Sequence, residues 1–112
     1  MTPESALMAK IALLAGSLGY MCFRCNAGTF LSADGTRYVR GLPEGFSDML
    51  ILKPNGEACF IETKVKPRKP TKQQINFINT VRSYGFRAGV AYTVDEARRI
   101  MDGDKEKDLV GP

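Results

Sequence analysis

One acidic residue interrupts each of two neighbouring apolar runs of this chain. Asp48 lies in FSDMLIL and Glu62 in CFIETKV, with Lys64 two positions further on. A charge inside a strand that otherwise reads as core is costly unless something compensates it. Two opposed carboxylates also repel unless one is protonated or a cation lies between them. A divalent cation is the most economical shared explanation. Oxygen-only ligation, without histidine or cysteine, points to Mg2+ or Mn2+. Glu62 and Lys64, two apart in a strand, project to the same face. A lysine beside a cation and its water orients that water, or neutralises charge building up on a phosphate. The pattern D-(13 residues)-E-x-K therefore suits metal-assisted phosphodiester hydrolysis. The plainer alternative is an Asp–Lys or Glu–Lys pair that merely holds the hairpin together.

Whether these groups meet depends on the turn between the runs, Pro54-Asn55-Gly56. A two-residue Asn55-Gly56 turn would set Pro54 against Glu57 and Asp48 opposite Thr63. A three-residue loop puts proline, with its fixed φ, at i+1 of a type I turn and glycine at the left-handed bulge position. Lys53 then faces Glu57, and Asp48 faces Glu62, with cross-strand Cβ atoms about 4.5–5.5 Å apart. The three-residue loop is adopted here. It also sets Phe46 opposite Lys64 and Leu50 opposite Phe60. Met49, Ile51, Cys59 and Ile61 share the reverse face, so both faces are largely apolar, which predicts central strands covered by helices.

The elements around the hairpin follow from caps and periodicity. Thr2-Pro3-Glu4 opens a helix to about Gly16, with Leu7, Ile11 and Leu14 at helical spacing and Ala6 and Leu13 beside them. On physics alone Glu4 is a carboxylate favoured by the helix dipole, an effect under about 1 kcal/mol. Tyr20 to Cys25 reads as a strand, ended by Asn26-Ala27-Gly28. Ala33-Asp34-Gly35 is a turn, and Thr36 to Arg40 a short return strand or edge segment. Thr71-Lys72-Gln73-Gln74 is a capping box that opens a helix through about Tyr84, with Gly85 as its stop. Gln74, Phe77, Ile78 and Val81 share one face of it. Phe86 to Tyr92 reads as a strand joined by a parallel crossover. A second capping box, Thr93-x-x-Glu96, starts a short helix to about Met101. The order helix, three strands, helix, strand, helix predicts an α/β fold, a mixed central sheet flanked by helices. One domain spans 1–101, and 102–112 is a charged, flexible tail.

The chain has 112 residues, 44% of them apolar and 25% charged, ordinary values for one globular domain. Its longest apolar stretch, ALMAKIALLAG, falls short of the roughly 20 residues of a membrane span and lacks signal-peptide flanks, so an intracellular protein without a membrane partner is expected. There is no histidine, which excludes Ser-His and Cys-His nucleophile pairs and His-containing zinc sites. Cys22, Cys25 and Cys59 are too few for a four-thiol site, and Cys22 and Cys25, three apart in a strand, face opposite sides. Reduced, structural thiols are expected. Nothing suggests a nucleotide cofactor.

The net charge is +4 with a pI near 9.1, compatible with nucleic acid but not proof of it. Lys66, Arg68, Lys69 and Lys72 lie just past the second acidic strand, Arg37 and Arg40 on the loop side, and Arg24 and Asn26 beside Gly28. They are candidate phosphate contacts, the alternative being a solvated charged face. Salt would weaken such binding steeply. No base-reading motif is present, so recognition of DNA shape rather than sequence is expected.

Gly45-Phe46-Ser47-Asp48, Phe60-Ile61-Glu62-Thr63-Lys64, Thr71-Lys72-Gln73-Gln74 and Glu4 in the first helix together resemble the PD-(D/E)XK nuclease superfamily, and within it the VRR-NUC (virus-type replication–repair nuclease) domain. The likeness runs from about Glu4 to Met101 and implies the αβββαβ core. It implies that Asp48 and Glu62 bind the metal, that the Thr63 carbonyl is a further ligand, and that Lys64 acts on the water. Glu4 would add a carboxylate to the metal site, and Gln74 would point toward it. Ser47 stands where the superfamily motif has proline, a position the metal chemistry does not use. One-domain members resemble structure-specific endonucleases of phage or bacterial origin that act on branched DNA, such as four-way (Holliday) junctions or flaps. Symmetric junction cutting implies a homodimer. The competing readings are a non-catalytic nucleic-acid-binding module and an interaction protein with no DNA role.

Overall fold

The computed structural model describes residues 1–109. Helix α1 (Pro3–Ser17) starts where the Thr2 side chain accepts the Ser5 N–H, with Pro3 in its first turn. Its buried stripe is Leu7, Met8, Ile11 and Ala15. Leu13, expected beside that stripe, is 76% exposed, because two residues of helix turn it about 200° away from Ile11.

Strands β1 (Met21–Arg24), β4 (Met49–Leu52), β5 (Ala58–Thr63) and β6 (Arg87–Ala91) form a sheet in the order β1-β4-β5-β6. The first two pairings are antiparallel, and β5 and β6 run parallel. They are joined through α2 (Lys72–Ser83), the strand–helix–strand crossover the sequence predicts. The sheet is therefore mixed, with helices on both faces. The segment 36–40 contributes β3 (Tyr38–Arg40), which pairs with β2 (Thr29–Leu31) in a separate two-stranded sheet. No strand is predicted at Thr29–Leu31, whose side chains are exposed on every residue and carry no alternation to read.

The hairpin turns through Pro54-Asn55-Gly56. Lys53 N–H donates to Glu57 O and Gly56 N–H to Lys53 O, Gly56 has φ +91°, and Met49 pairs with Ile61 and Leu50 with Phe60. Turn chemistry was enough to set this register.

One sheet face buries Met49, Ile51, Cys59, Ile61 and Ala91 against α1 and against Ala97, Ile100 and Met101 of α3 (Val94–Asp102). The other face meets only α2, through Ile78 and an aromatic cluster of Phe46, Phe60, Phe77 and Phe86. Burial there is incomplete, a correction to the expected two-sided cover. Leu52 is 37% exposed and Phe23 44%, because one helix about 10 Å across spans only two strands about 4.8 Å apart.

Both later helices are capped. In α2, Thr71 and Gln74 close the predicted capping box. At α3 the Thr93 hydroxyl accepts the Glu96 N–H, but the Glu96 carboxylate reaches past Thr93 to the Tyr92 N–H at 2.7 Å. The second box is thus only half formed, since its acid serves a donor at the end of edge strand β6. Beyond α3 a short helix, α4 (Lys105–Asp108), follows, and Leu109 packs against the core. Residues 110–112 of the expected tail lie outside the described residues.

Candidate metal centre

Asp48 enters the sheet at the start of β4. Its main-chain carbonyl accepts the Cys25 N–H at 2.7 Å. Its Oδ2 accepts both the N–H and the hydroxyl of buried Thr63, at 3.0 and 2.8 Å. The carboxylate is thus aimed before any ligand arrives. The loop leading to it crosses under α2 at Gly45, which has φ +90° and where a Cβ would stand 2.7 Å from the Gln73 carbonyl. Only glycine fits there, and that close approach brings the Asp48 strand against the first turn of the Gln74 helix.

Glu62 is 1% exposed. Its Oε2 accepts from Gln74 Nε2 at 3.1 Å and lies 3.8 Å from the buried ammonium of Lys64. Gln74 uses its other atom, Oε1, to accept the Thr71 N–H. One side chain therefore caps the helix and orients the acid. Glu4 arrives from the first turn of α1. Carboxylate oxygens of Glu4, Asp48 and Glu62 lie within 4.8 Å of one another.

Burial, and then the charge of Asp48, push the Glu62 carboxyl up to about 9, with Lys64 opposing. Glu62 Oε1 is buried without a hydrogen-bond partner, so neither Gln74 nor Lys64 satisfies it. An unpartnered buried oxygen within an all-oxygen donor set fits a hard divalent cation. Mg2+ and Mn2+ both suit such donors.

The basic candidates divide into two groups. Lys66, Arg68, Lys69 and Lys72 are exposed between β5 and the first turn of α2. Arg68 Nη1 lies 3.9 Å from Glu4 Oε2, which joins this group to the carboxylates. Arg24 and Asn26 at the end of β1, and Arg37 and Arg40 around β3, are exposed on the far side of the hairpin. Asn26 also accepts the Leu42 N–H through its carbonyl. Sequence reasoning missed the Thr63 hydroxyl as a partner of Asp48. Its signal was a Thr between Glu62 and Lys64, which period-two alternation assigns to the opposite face.

A family model for the VRR-NUC domain matches residues 15–95. A solved structure titled as a VRR_NUC domain is similar with a TM-score of 0.66 at 22% identity, covering 90% of this chain and 96% of that one. At that identity the likeness concerns the fold. No curated protein sequence matches significantly. The matched span contains Asp48, Glu62, Lys64 and Gln74 but begins after Glu4, so the first-helix acid stands on geometry alone. Among the described residues no helix is long and apolar enough to cross a membrane. With the family model covering well over half of the sequence, the chain belongs to the VRR-NUC domain family, a family of nuclease-type domains.

Proposed function

We propose that this protein is a Mg2+- or Mn2+-dependent endodeoxyribonuclease that hydrolyses phosphodiester bonds in branched DNA, such as four-way junctions or flaps. The observation that carries the reading is the convergence of Glu4, Asp48 and Glu62 within 4.8 Å around a buried oxygen that has no partner. A divalent cation bound there supplies Lewis acidity to the scissile phosphate and an acidified water. Asp48 and Glu62 would hold it, with Glu4 and the Thr63 carbonyl as further donors.

The remaining roles belong to the side chains. Thr63 holds Asp48 in one orientation, and Gln74 does the same for Glu62. Lys64, buried beside Glu62, offers its ammonium to the attacking water and to negative charge developing on the phosphate as the bond to the leaving oxygen breaks. Lys66, Arg68, Lys69 and Lys72 contact backbone phosphates on one side, and Arg24, Asn26, Arg37 and Arg40 on the other. Contacts of this kind read shape rather than sequence.

A four-way junction presents two symmetry-related scissile strands. One chain offers a single carboxylate cluster among the described residues, so paired cuts need a homodimer whose two-fold axis matches that of the junction. Exposed Phe30, Leu31, Tyr38 and Val39 on the β2–β3 hairpin supply apolar surface for such pairing.

The test is nicking of labelled junction, flap and linear duplex with Mn2+, Mg2+ or EDTA. Branched substrates are cut, EDTA stops the reaction, and Lys64→Ala loses it. Equal cleavage by wild type and Lys64→Ala overturns the enzyme reading, and equal cleavage of linear duplex overturns the substrate. Sedimentation at the cleavage concentration reads the dimer, and a monomer there rejects it.

A further inference from the structure

Arg82, the cation in the last turn of α2, is folded back onto the sheet edge. Its Nε–H donates to the Ala88 carbonyl at 2.8 Å. Its Nη2 sits over Gly89, 3.5 Å from where a Cβ would stand. An arginine has five N–H donors. That bond uses one, and among the described residues no carboxylate pairs with the others. Burial pulls the pKa of this guanidinium down. A fixed, half-buried, unpaired guanidinium carries a desolvation penalty that a bound anion relieves.

The guanidinium forms one wall of a cavity of about 390 Å³ at the β6 edge, with Arg99 and Lys107 on the other walls. The acids that share the lining are already engaged by main-chain donors. Glu96 accepts the Tyr92 N–H and Asp108 accepts the Asp104 N–H. Arg99 is paired with Asp95 at 2.8 Å, where both side chains are more than half exposed, an arrangement that contributes little and is readily exchanged. The cavity opens beside Pro70 and Tyr92. The Tyr92 hydroxyl donates to the Arg68 carbonyl at 2.9 Å, and the Arg68 guanidinium reaches Glu4. The cavity is therefore the next cationic surface beyond the basic loop at the carboxylate cluster.

We propose that the cavity at the β6 edge seats a backbone phosphate of bound DNA, with Arg82 as a preorganised fork and Arg99 and Lys107 closing over it. The proposal rests on the reading of the chain as a DNA nuclease. The chemistry selects phosphate because a planar guanidinium fixed at one edge presents parallel donors to two oxygens. A free phosphorylated compound would satisfy the same donors, so the test separates the two sources.

Binding of a fluorescent four-way junction is measured in EDTA, without cleavage, over a range of salt concentrations. The double variant Arg99→Ala/Lys107→Ala leaves the Arg82–Ala88 bond in place. It is expected to bind more weakly and to lower the slope of log K against log salt by about 1, one phosphate contact. Arg82→Lys keeps the charge, loses the fork and also weakens binding. Lys10→Ala, which removes an exposed cation on α1, leaves the slope as in wild type. An unchanged slope in the double variant overturns the proposal. So does a result in which wild type, but not the double variant, binds inorganic phosphate by calorimetry while the DNA slopes agree, because the site then serves free phosphate. Wild-type cleavage with Mn2+ is read separately. Cleavage with an unchanged slope removes this site alone, and a lowered slope without cleavage removes the nuclease reading alone.

Discussion

The two ends of the β4–β5 hairpin carry similar residue types and treat them in opposite ways. At the turn end, Lys53 Nζ bonds Glu57 and Asp102, each at 2.9 Å, and the Met101 carbonyl at 2.8 Å. Arg87 adds Glu57 at 3.2 Å and the Gly103 carbonyl at 2.8 Å, and the Tyr20 hydroxyl donates to Asp102. These cations cap the carbonyl end of α3 and lock it to the hairpin. The hydrogen bond from Lys53, followed by that from Asn55, holds the Glu57 carboxyl down to about 2. At the open end, Glu62 is pushed up to about 9 and keeps one buried oxygen without a partner. A structural charge cluster satisfies its members, whereas the candidate reaction centre leaves one unsatisfied for a ligand to complete.

Four measurements bear on that contrast. The largest effect is expected for Glu62→Gln, which keeps the shape and removes the charge. Single-turnover junction cleavage in Mn2+ should fall on the order of 10³-fold, while the melting temperature in EDTA near neutral pH holds, because without the metal a carboxyl pushed up to about 9 is already largely uncharged. Undiminished cleavage would make the open end as structural as the turn end. Next, Mn2+ at a hundred times its dissociation constant should stabilise the fold by about 2.7 kcal/mol, seen as a rise in melting temperature that Asp48→Asn abolishes and Lys53→Ala retains. If Lys53→Ala loses the rise, the two ends are not independent.

Lys53→Ala takes the shared cation from between Glu57 and Asp102, which keep Arg87 and Tyr20 respectively, and removes the donor to the Met101 carbonyl. It should cost about 2 kcal/mol in urea unfolding with no change in cleavage per folded molecule. The smallest effect is acid sensitivity. The folded pKa of Glu57 lies below its ordinary 4.5, at about 2. Its contribution is therefore complete above about 4.5 and is lost as pH falls through about 2. Urea midpoints in EDTA should decline toward pH 3, and less steeply in Lys53→Ala. Identical slopes for the two proteins would remove Lys53 as the cause.

What was legible in the chain was local. The Pro54-Asn55-Gly56 loop set the register, because each residue occupies a backbone conformation that few others take, and one register follows from one turn. Thr71 and Gln74 announced α2 for the same reason. The half-formed box at Thr93 shows the limit of such reasoning. Glu96 had a better use at Tyr92, and that donor belongs to a sheet edge no short window reveals. The β2–β3 sheet was half invisible because its exposed side chains carry no periodicity.

By itself the sequence determined the hairpin register, the capped crossover helix and the residue types of an oxygen-donor site, since turns, caps and alternation act over a few residues. Tertiary structure alone decided which distant groups meet. It brought Glu4 across from α1 to two β-strand acids, left Glu62 Oε1 without a partner, and turned Arg82 onto the β6 edge. Those outcomes depend on how helices pack across the sheet, and packing is set by the whole core rather than by any stretch of chain.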